Sequence, residues 1–303
     1  MKYIVTGGAG FIGSHITDAL IARGDTVHIV DNFLTGKRER VNPAAIVHEI
    51  DIREAEKLAP VFAGAAGIFH TAAQARMQYS IREPRLTNDI NITGTLNVLL
   101  AGRDAGVKRV VYSASSSAYG AKNPMPLHED MPPEPIIPYA IQKRVGEQYC
   151  AMASRFYGVE TVSLRYFNVY GPRQTTASDG PYATVIGIFL EQRKNNEPMS
   201  VVPDGKYRRD FTHVTDIAAA NLLAMASPKV GAGEIINIGT GTNYSVIEVA
   251  EMIGGPWKFI EPRQGEVRET LADITRAREL LGWEPKVSFE DGIAELKSMH
   301  GIA

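Results

Sequence analysis

The sequence contains a single cysteine, Cys150, among 303 residues. One thiol cannot form an intramolecular disulfide or a cysteine-rich zinc site, which excludes small disulfide-stabilised folds and favours a reducing compartment. Net charge is also nearly absent, because 32 Lys and Arg stand against 34 Asp and Glu. This balance lacks the basic excess of nucleic-acid-binding domains, so we expect no nucleic-acid partner. We also expect no metal site.

Long apolar runs are missing as well. The longest stretch without Asp, Glu, Lys or Arg covers residues 58–75 and contains Pro60 and His70, which makes it a poor membrane span. Met1 leads almost directly into the strand-like Tyr3–Val5, which leaves no room for a signal peptide. We therefore expect a cytoplasmic protein with no membrane association.

The first half of the chain alternates short apolar runs with amphipathic stretches, and the apolar share of 44% is sufficient for a large core. The predicted strands are Tyr3–Thr6, Thr26–Val30, Ile46–Ile50, Gly67–His70, Arg109–Ser113 and Thr161–Arg165. The predicted helices between them are Phe11–Arg23, Arg53–Phe62, Asn88–Ala105 and Tyr139–Tyr157. This alternation predicts an α/β fold, a Rossmann-like doubly wound parallel sheet covered by helices on both faces.

After Arg165 the pattern loosens, and core-like patterning returns in a helix at Val214–Ala226 and a strand at Glu234–Ile238. Short helices are predicted at Ser245–Ile253, Thr275–Leu281 and Phe289–Met299. We expect residues 1–167 and 212–240 to form a cofactor-binding domain. Residues 168–211 and 241–303 would form a smaller C-terminal substrate-binding lobe, with a cleft between the two.

Glycines at positions 7, 10 and 13 follow the first strand and open the first helix. Such a turn lets backbone N–H groups and a helix N-terminus approach a pyrophosphate. Asp31 ends the second strand eighteen residues after Gly13, where a carboxylate binds the ribose hydroxyls of NAD and repels the 2′-phosphate of NADP. Lys37, Arg38 and Arg40 follow and leave NADP as an alternative.

Further cofactor contacts are expected where the next strands end. Asp51 and Ile52 would lie near the adenine, and Ala72 would allow close approach of the dinucleotide, although a plain strand–helix turn explains Ala72 equally well. His70 precedes that turn and is interpreted as a core histidine.

Tyr139 and Lys143 stand at i and i+4, on one face of a helix, and Ser115 lies twenty-four residues before Tyr139 at the end of the fifth strand. A free phenol with a pKa of ~10 is a poor base at neutral pH. A neighbouring ammonium and the positive nicotinamide ring would both favour the phenolate, and a serine could hydrogen-bond the same substrate hydroxyl.

With these residues in place, the sequence resembles the extended short-chain dehydrogenase/reductases of the NAD-dependent epimerase/dehydratase family, and within them most of all the UDP-glucose 4-epimerases. The resemblance covers nearly the whole chain. It rests on the ordered segments 6–15, 31–32, 91–95, 115–120, 139–143, 165–173, 208–214 and 263–266.

The resemblance implies that Tyr139 is the base, that Lys143 holds the nicotinamide ribose and that Ser115 assists at the substrate hydroxyl. The cofactor-binding set that we expect is Gly7, Gly10, Phe11, Ile12, Gly13, Asp31, Asn32, Asp51, Ile52, Ala72, Asn91, Tyr139 and Lys143. The substrate-binding set is Ser115, Ser116, Tyr139, Asn168, Arg209, Arg263 and Thr270. Guanidinium groups match diphosphate oxygens, although Arg209 and Arg263 could instead form surface ion pairs with Asp210 and Glu266.

The implied reaction begins with oxidation of a sugar hydroxyl by NAD. Family members that dehydrate or decarboxylate carry acidic residues near the serine, and here those positions are Ser116 and Ser117. We therefore expect C4 epimerisation of a UDP-hexose, UDP-glucose/UDP-galactose, through a 4-keto intermediate.

By the same resemblance, the small Thr270 predicts space for UDP-GlcNAc/UDP-GalNAc as well. Arg76 lies near the position at which the epimerases of galactose metabolism carry a lysine close to the pyrophosphate.

Alternatives remain open at this stage. They are another family activity on a UDP-sugar (UDP-glucuronate 4-epimerase, decarboxylase or reductase) and a non-catalytic NAD-bound sensor. The helices predicted at 88–105 and 139–157 each have an apolar stripe left over, and relatives pair these helices across a two-fold axis. We expect a homodimer through a four-helix bundle, although such a stripe can also be core.

Overall fold

The architecture is described from a computed structural model that covers residues 1–176, 183–261 and 267–302. The strands are β1 Lys2–Thr6, β2 Thr26–Val30, β3 Ile46–His48, β4 Gly67–His70, β5 Arg109–Ser115, β6 Glu160–Tyr166, β7 Val169–Tyr170, β8 Met199–Val201, β9 Arg208–Arg209, β10 Thr212–His213, β11 Ala232–Ile238, β12 Tyr244–Ser245 and β13 Trp257–Phe259. The helices are α1 Phe11–Ala22, α2 Ala55–Phe62, α3 Met77–Arg82, α4 Pro84–Asn88, α5 Gly94–Asp104, α6 Pro138–Tyr157, α7 Val185–Lys194, α8 Val214–Ala226, α9 Val246–Ile253, α10 Thr275–Leu281 and α11 Phe289–His300.

Seven parallel strands form the central sheet in the order β11-β6-β5-β4-β1-β2-β3. The inner strands are short apolar runs buried on both faces, as parallel sheets require. Strand order reverses between β1 and β4, which opens a crevice at the carboxyl ends of these two strands. The predicted Rossmann-like sheet is confirmed.

Helices cover both faces of this sheet. One apolar cluster packs α1, α8 and α10 against one face, through side chains such as Leu20 and Ile217. A second cluster packs α2, α5 and α6 against the other face, through Phe62, Leu99 and Cys150. Each Å² of apolar surface buried on these faces contributes about 25 cal/mol to the stability of the fold. This packing holds the sheet edge that carries the site.

A third apolar cluster lies outside the sheet and is built from α7, α9, α11 and β8, with Phe189, Phe211 and Phe289 among its members. It forms a smaller lobe, and its members lie within residues 168–211 and 241–303. The stretch from Ala272 to Trp283 packs with the sheet cluster rather than with this lobe. The two-part division at 1–167 with 212–240 and 168–211 with 241–303 stays a prediction.

The predicted helix Asn88–Ala105 differs in the structure. The helical path begins at Pro84, passes through a π-helical segment at Asp89–Thr93 and continues as α5. A π-helical segment has hydrogen bonds one residue longer than those of an α-helix and is rare. The apolar periodicity of the sequence does not reveal it, so the pattern predicts a continuous α-helix. The helix α7 and the pairing of β8 with β13 were not anticipated either.

Among the described residues, no helix combines the length and the apolar character that a bilayer span requires.

Candidate active site

A cleft of about 730 Å³ lies at the carboxyl edge of the sheet and reaches the smaller lobe. Most predicted site residues line it: Gly7, Gly10, Phe11, Ile12, Gly13, Asp31, Asn32, Asp51, Ile52, Ala72, Ser115, Ser116, Tyr139, Asn168, Arg209 and Thr270. Lys143 and Asn91 lie behind its wall, where they bond to neighbouring segments. Arg263 and its alternative partner Glu266 lie outside the described residues.

The glycine turn after β1 forms a cradle for a pyrophosphate. Gly7 adopts a φ of +73°, and a Cβ added there would stand 2.7 Å from the backbone nitrogen of Ala72. Gly13 packs so closely on the carbonyl of Gly7 that a side chain would displace it. Only glycine leaves this space open beside the N-terminus of α1, so the turn fits a dinucleotide.

Asp31 follows β2 at the cofactor end of the cleft. Its carboxylate accepts hydrogen bonds from the backbone N–H of Ala9 at 3.0 Å and of Phe33 at 2.8 Å. Burial raises the pKa of Asp31, and these two hydrogen bonds oppose the rise. A Cβ added at Gly36 would stand 2.8 Å from the carboxylate, so this pocket is closely packed. These features fit ribose hydroxyls better than an added phosphate.

The basic residues after Asp31, which left NADP as an alternative cofactor, interact with other groups of the protein. Arg38 donates to Glu49 at 2.6 Å, and its guanidinium carbon lies 4.1 Å from the centre of the Phe33 ring. The ammonium of Lys37 lies 3.8 Å from a carboxylate oxygen of Glu39. Arg40 is buried at the cleft wall.

Asp51 and Asn32 meet at the same end of the cleft. The amide of Asn32 donates to Asp51 at 2.7 Å, and Arg53 donates to both carboxylate oxygens of Asp51. The bonds from Arg53 lower the pKa of Asp51 to about 2. The Asp51 side chain therefore belongs to a local network, and Ile52 supplies a buried apolar wall.

His70 is a buried structural residue, as expected. Its ring nitrogens are hydrogen-bonded to Thr6 at 2.7 Å and to Thr95 at 2.9 Å. Burial lowers the pKa of His70 to about 3, so the imidazole is neutral at physiological pH.

Asn91 holds the cleft wall through a set of hydrogen bonds. Its side chain accepts from the N–H of Gln74 at 2.8 Å and donates to the carbonyl of Gln74 at 3.0 Å. It also donates at 2.8 Å to Gln142, whose amide donates to Thr87 at 2.9 Å. Sequence reasoning missed Gln74 and Gln142. The position of Gln142 next to Lys143, inside the tyrosine–lysine turn of α6, was the available signal.

Helix α6 and strand β5 bring the predicted catalytic residues together. Pro138 begins α6, and the backbone N–H of Tyr139 donates to the hydroxyl of Ser80 at 3.1 Å, which caps the helix. Ser115 ends β5, accepts from the N–H of Ser117 at 3.2 Å and lies 2.9 Å from its hydroxyl. Lys143 is buried, and its ammonium donates to the carbonyl of Ser113 at 2.7 Å.

Burial dominates the acid–base properties of this group in the protein alone. It raises the pKa of Tyr139 to about 12, although a hydrogen bond with Ser115 opposes the rise. It lowers the pKa of Lys143 to about 8. In the protein alone the pKa of Tyr139 is therefore set by desolvation and by the Ser115 hydrogen bond, and the expected lowering by Lys143 is not seen. A phenolate at neutral pH requires additional positive charge in the cleft.

Asn168 and Thr270 meet on the side of the smaller lobe. The amide of Asn168 donates to the Thr270 hydroxyl and to the carbonyl of Asp210, both at 3.2 Å. The carboxylate of Asp210 is buried and accepts four hydrogen bonds. They come from the hydroxyl and the backbone N–H of Thr240 and from the backbone N–H groups of Gly241 and Ala272. The ion pair of Asp210 with Arg209 that had been the alternative is therefore replaced by these four bonds.

Arg209 lines the cleft and is held by carbonyl groups. Its guanidinium donates to the carbonyl of Arg208 at 2.9 Å and to that of Arg268 at 3.3 Å. Arg76 lines the cleft nearer to the glycine turn. Both arginines thus bring positive charge to the cleft wall.

The chain matches the model of the NAD dependent epimerase/dehydratase family over residues 3–239. A putative UDP-glucose 4-epimerase of Methanocaldococcus jannaschii is 39% identical over 298 residues, 96% of this chain and 95% of the relative. A UDP-glucose 4-epimerase of Thermotoga maritima, solved with UDP-glucose, superposes with a TM-score of 0.93 at 40% identity, covering 99% of this chain and 98% of that one.

A UDP-N-acetylglucosamine 4-epimerase of Methanobrevibacter ruminantium, solved with UDP-N-acetylmuramic acid, superposes equally well, with a TM-score of 0.93 at 35% identity over 99% of this chain and 98% of that one. In the present chain, the glycine turn and the buried carboxylate of Asp31 fit the cofactor in the family's name. The chain therefore belongs to the NAD dependent epimerase/dehydratase family and is an enzyme that uses NAD.

Proposed function

We propose that this protein is a 4-epimerase of UDP-hexoses that interconverts UDP-glucose and UDP-galactose through a transient 4-keto sugar. The observation that carries the proposal is the joint placement of Tyr139, Ser115 and the glycine turn on the wall of the same cleft, with Lys143 directly behind it. The similarity to 4-epimerases along the whole chain supports the same assignment.

Each part of the site has a separate role in the proposed reaction. The glycine turn and Asp31 would hold NAD, which would supply the hydride acceptor and donor of the reaction. The Tyr139 phenolate takes the proton of the C4 hydroxyl and later gives it back, while the Ser115 hydroxyl holds that oxygen in line. Lys143 binds the cofactor ribose and adds the positive charge that favours the phenolate. Asn168, Arg209 and Arg263 bind the diphosphate, and they leave the sugar free to turn before it is reduced on its other face.

The distribution of acidic side chains favours epimerisation over dehydration or decarboxylation. Among the described residues that line the cleft, the only carboxylates are Asp31 and Asp51, both at the cofactor end. Beside Tyr139 stand the hydroxyls of Ser116 and Ser117, which cannot act as carboxylic acids at a sugar carbon. Epimerisation needs no acid or base besides Tyr139.

The first test uses the purified protein with UDP-glucose and no added cofactor, with the sugar followed by NMR. UDP-galactose should accumulate to equilibrium, because an epimerase regenerates its NAD in every turnover. A reductase would need added cofactor, and a non-catalytic sensor would leave the sugar unchanged. Conversion of UDP-glucuronate alone would assign the enzyme to a different sugar and would refute the proposal.

We also propose that the N-acetylated pair UDP-GlcNAc/UDP-GalNAc is accepted. Thr270 is small and buried, and its hydroxyl is occupied by Asn168, so it leaves space beside the sugar. A parallel incubation with UDP-GlcNAc tests this point. No UDP-GalNAc from a preparation that converts UDP-glucose would contradict it.

Finally, we propose a homodimer formed by α5 and α6 of two copies, as a four-helix bundle. These two helices pack on each other within the protomer, and α6 exposes Ile141 and Phe156, the latter at 68% of its surface. The mass of one chain is 33.0 kDa, and sedimentation equilibrium should give twice this value. Charged substitutions at Phe156 should lower the measured mass towards that of one chain.

A further inference from the structure

Two oppositely charged side chains are completely buried beneath the candidate active site. Glu147 on α6 and Arg165 on β6 each expose only 1% of their surface. The guanidinium donates twice to the carboxylate, from Nε to Oε1 at 2.7 Å and from Nη2 to Oε2 at 2.8 Å. Burying two charges costs several kcal/mol each, so an ion pair in this position is weak support for stability by itself.

The location of the pair connects the three segments that carry the predicted catalytic and substrate residues. Glu147 lies one helical turn after Lys143 and two turns after Tyr139 on α6. Arg165 pairs in register with Ala114 of β5, and its own strand ends at Tyr166, two residues before Asn168; both of these residues line the cleft.

The third segment is the turn that begins at Ser115. The guanidinium carbon of Arg165 lies 4.4 Å from the centre of the Tyr119 ring, at the end of this turn. The Tyr119 hydroxyl donates to Asn237 at 2.7 Å, which fixes the ring. The guanidinium of Arg165 thus contacts α6 through Glu147 and the serine turn through Tyr119. Arg165 itself lies on β6, the strand that leads to Asn168.

A second ion pair in the same sheet, between the buried Arg109 and the partly exposed Glu160, provides a comparison. Arg109 begins β5 at the opposite edge, donates to Glu160 at 2.7 Å and binds the carbonyls that end α8. That pair joins two neighbouring strands, β5 and β6, and lies far along these strands from the cleft. Its position suits a purely structural role.

Resting on the proposed function, we propose that Glu147 and Arg165 are positioning residues of the epimerase reaction. They fix α6, the Ser115 turn and Asn168 in one arrangement, so that Tyr139 and Lys143 reach the substrate hydroxyl and the cofactor at productive distances. Neither side chain touches the substrate.

The pair also affects the charge of Lys143. The ammonium faces Glu147 and Cys150 on its own helix, Tyr112 on β5 at 4.9 Å from the ring centre, and His70 on β4, while Arg165 of β6 stands behind Glu147. The negative charge of Glu147 favours the ammonium and opposes the effect of burial. Removal of that charge should make Lys143 lose its proton at lower pH.

The test compares Glu147→Gln with Arg144→Gln. Arg144 is a half-buried third partner that donates to Glu147 at 2.9 Å, so its loss leaves the buried pair intact. For Glu147→Gln we expect kcat to fall by about ten- to a hundredfold, the loss typical of a small misplacement, with KM within about twofold. The alkaline limb of the pH–kcat profile should move to lower pH. Arg144→Gln should match the wild type in all three.

A second variant tests the proposal if Glu147→Gln does not fold. The double change Glu147→Leu and Arg165→Met removes both charges, which commonly preserves or raises stability. It should fold with a wild-type Tm, lose kcat as the single variant does, and keep the alkaline limb near its wild-type position. A folded double variant with wild-type kcat would overturn the proposal, as would a Glu147→Gln variant with wild-type kcat.

A measurement without substrate separates this inference from the proposed function. Hydrogen exchange of the NAD-loaded protein should show amides 139–143 opening at least about tenfold faster in the double variant than in Arg144→Gln. Unchanged exchange overturns the positioning role even if the wild type acts on another sugar. Wild-type protein that converts no UDP-hexose would refute the proposed function alone.

Discussion

Replacement of Lys143 by methionine should stabilise the fold while it destroys the activity. Lys143 exposes 3% of its surface, and burial lowers its pKa from the ordinary 10.5 to about 8. Between these two pH values the unfolded chain binds a proton that the folded chain has lost. The stability of the wild type therefore rises with pH through this window.

The magnitude follows from the same pKa difference. Below pH 8 both states are protonated, and the folded state carries a cost of about 3 kcal/mol for the buried ammonium. Methionine has nearly the same length and no charge, but it loses the hydrogen bond to the carbonyl of Ser113, worth about 1 kcal/mol. Lys143→Met should therefore be about 2 kcal/mol more stable than the wild type at pH 7. The advantage should fall as the pH rises above 8, reach zero at about pH 10 and reverse slightly above that, where the lost hydrogen bond remains and the cost of the ammonium has gone.

Urea unfolding of both proteins, refolded without cofactor, at several pH values from 7 to 10.5 measures this difference. Removal of NAD matters because a ligand that binds the folded state adds its own stabilisation. A Lys143→Met variant that is less stable than the wild type at pH 7, or a difference independent of pH, would refute the reasoning. In the NAD-loaded enzyme, kcat should fall by about a hundredfold or more.

Three further changes have defined outcomes. Tyr139→Phe should retain the wild-type Tm and bound NAD but lose about 10²- to 10⁴-fold in kcat, and residual activity above that range would remove the phenol from its assigned role. Thr270→Tyr should lower kcat/KM for UDP-GlcNAc by at least about tenfold relative to UDP-glucose, measured by NMR of competing substrates, and an unchanged ratio would contradict the space assigned to this position. Gln142→Leu leaves the amide of Asn91 and the hydroxyl of Thr87 without their buried partner. It should lower the free energy of unfolding by about 2–3 kcal/mol in urea titrations, whereas a loss below about 0.5 kcal/mol would show that the network is not tightly held.

Local patterns were sufficient for the sheet and for the cofactor turn. Apolar runs at the right spacing predicted the first six strands, and the glycines at 7 and 13 have the close backbone contacts that the turn requires. Tyr139 and Lys143 share a helix face, so their spacing alone predicted their proximity. These features depend on residues close together in the sequence.

Features that depend on distant segments were not predicted. The Glu147–Arg165 pair joins residues eighteen positions apart, on a helix and a strand. The spacing of Glu147 from Lys143 was the only signal for it. The pKa of Tyr139 also depends on burial by the completed fold, whereas the sequence argument considered only the positive charges of the neighbouring ammonium and of the nicotinamide ring.

The most direct test of the account is the fate of the hydrogen at C4. UDP-glucose that carries deuterium at C4 would be incubated with the purified protein in ordinary water, with no NAD added. The account predicts UDP-galactose that retains its deuterium at C4, because the hydrogen passes to a bound cofactor and back without exchange with water. UDP-galactose that has lost the label would contradict the account, because the hydrogen at C4 would then have exchanged with solvent.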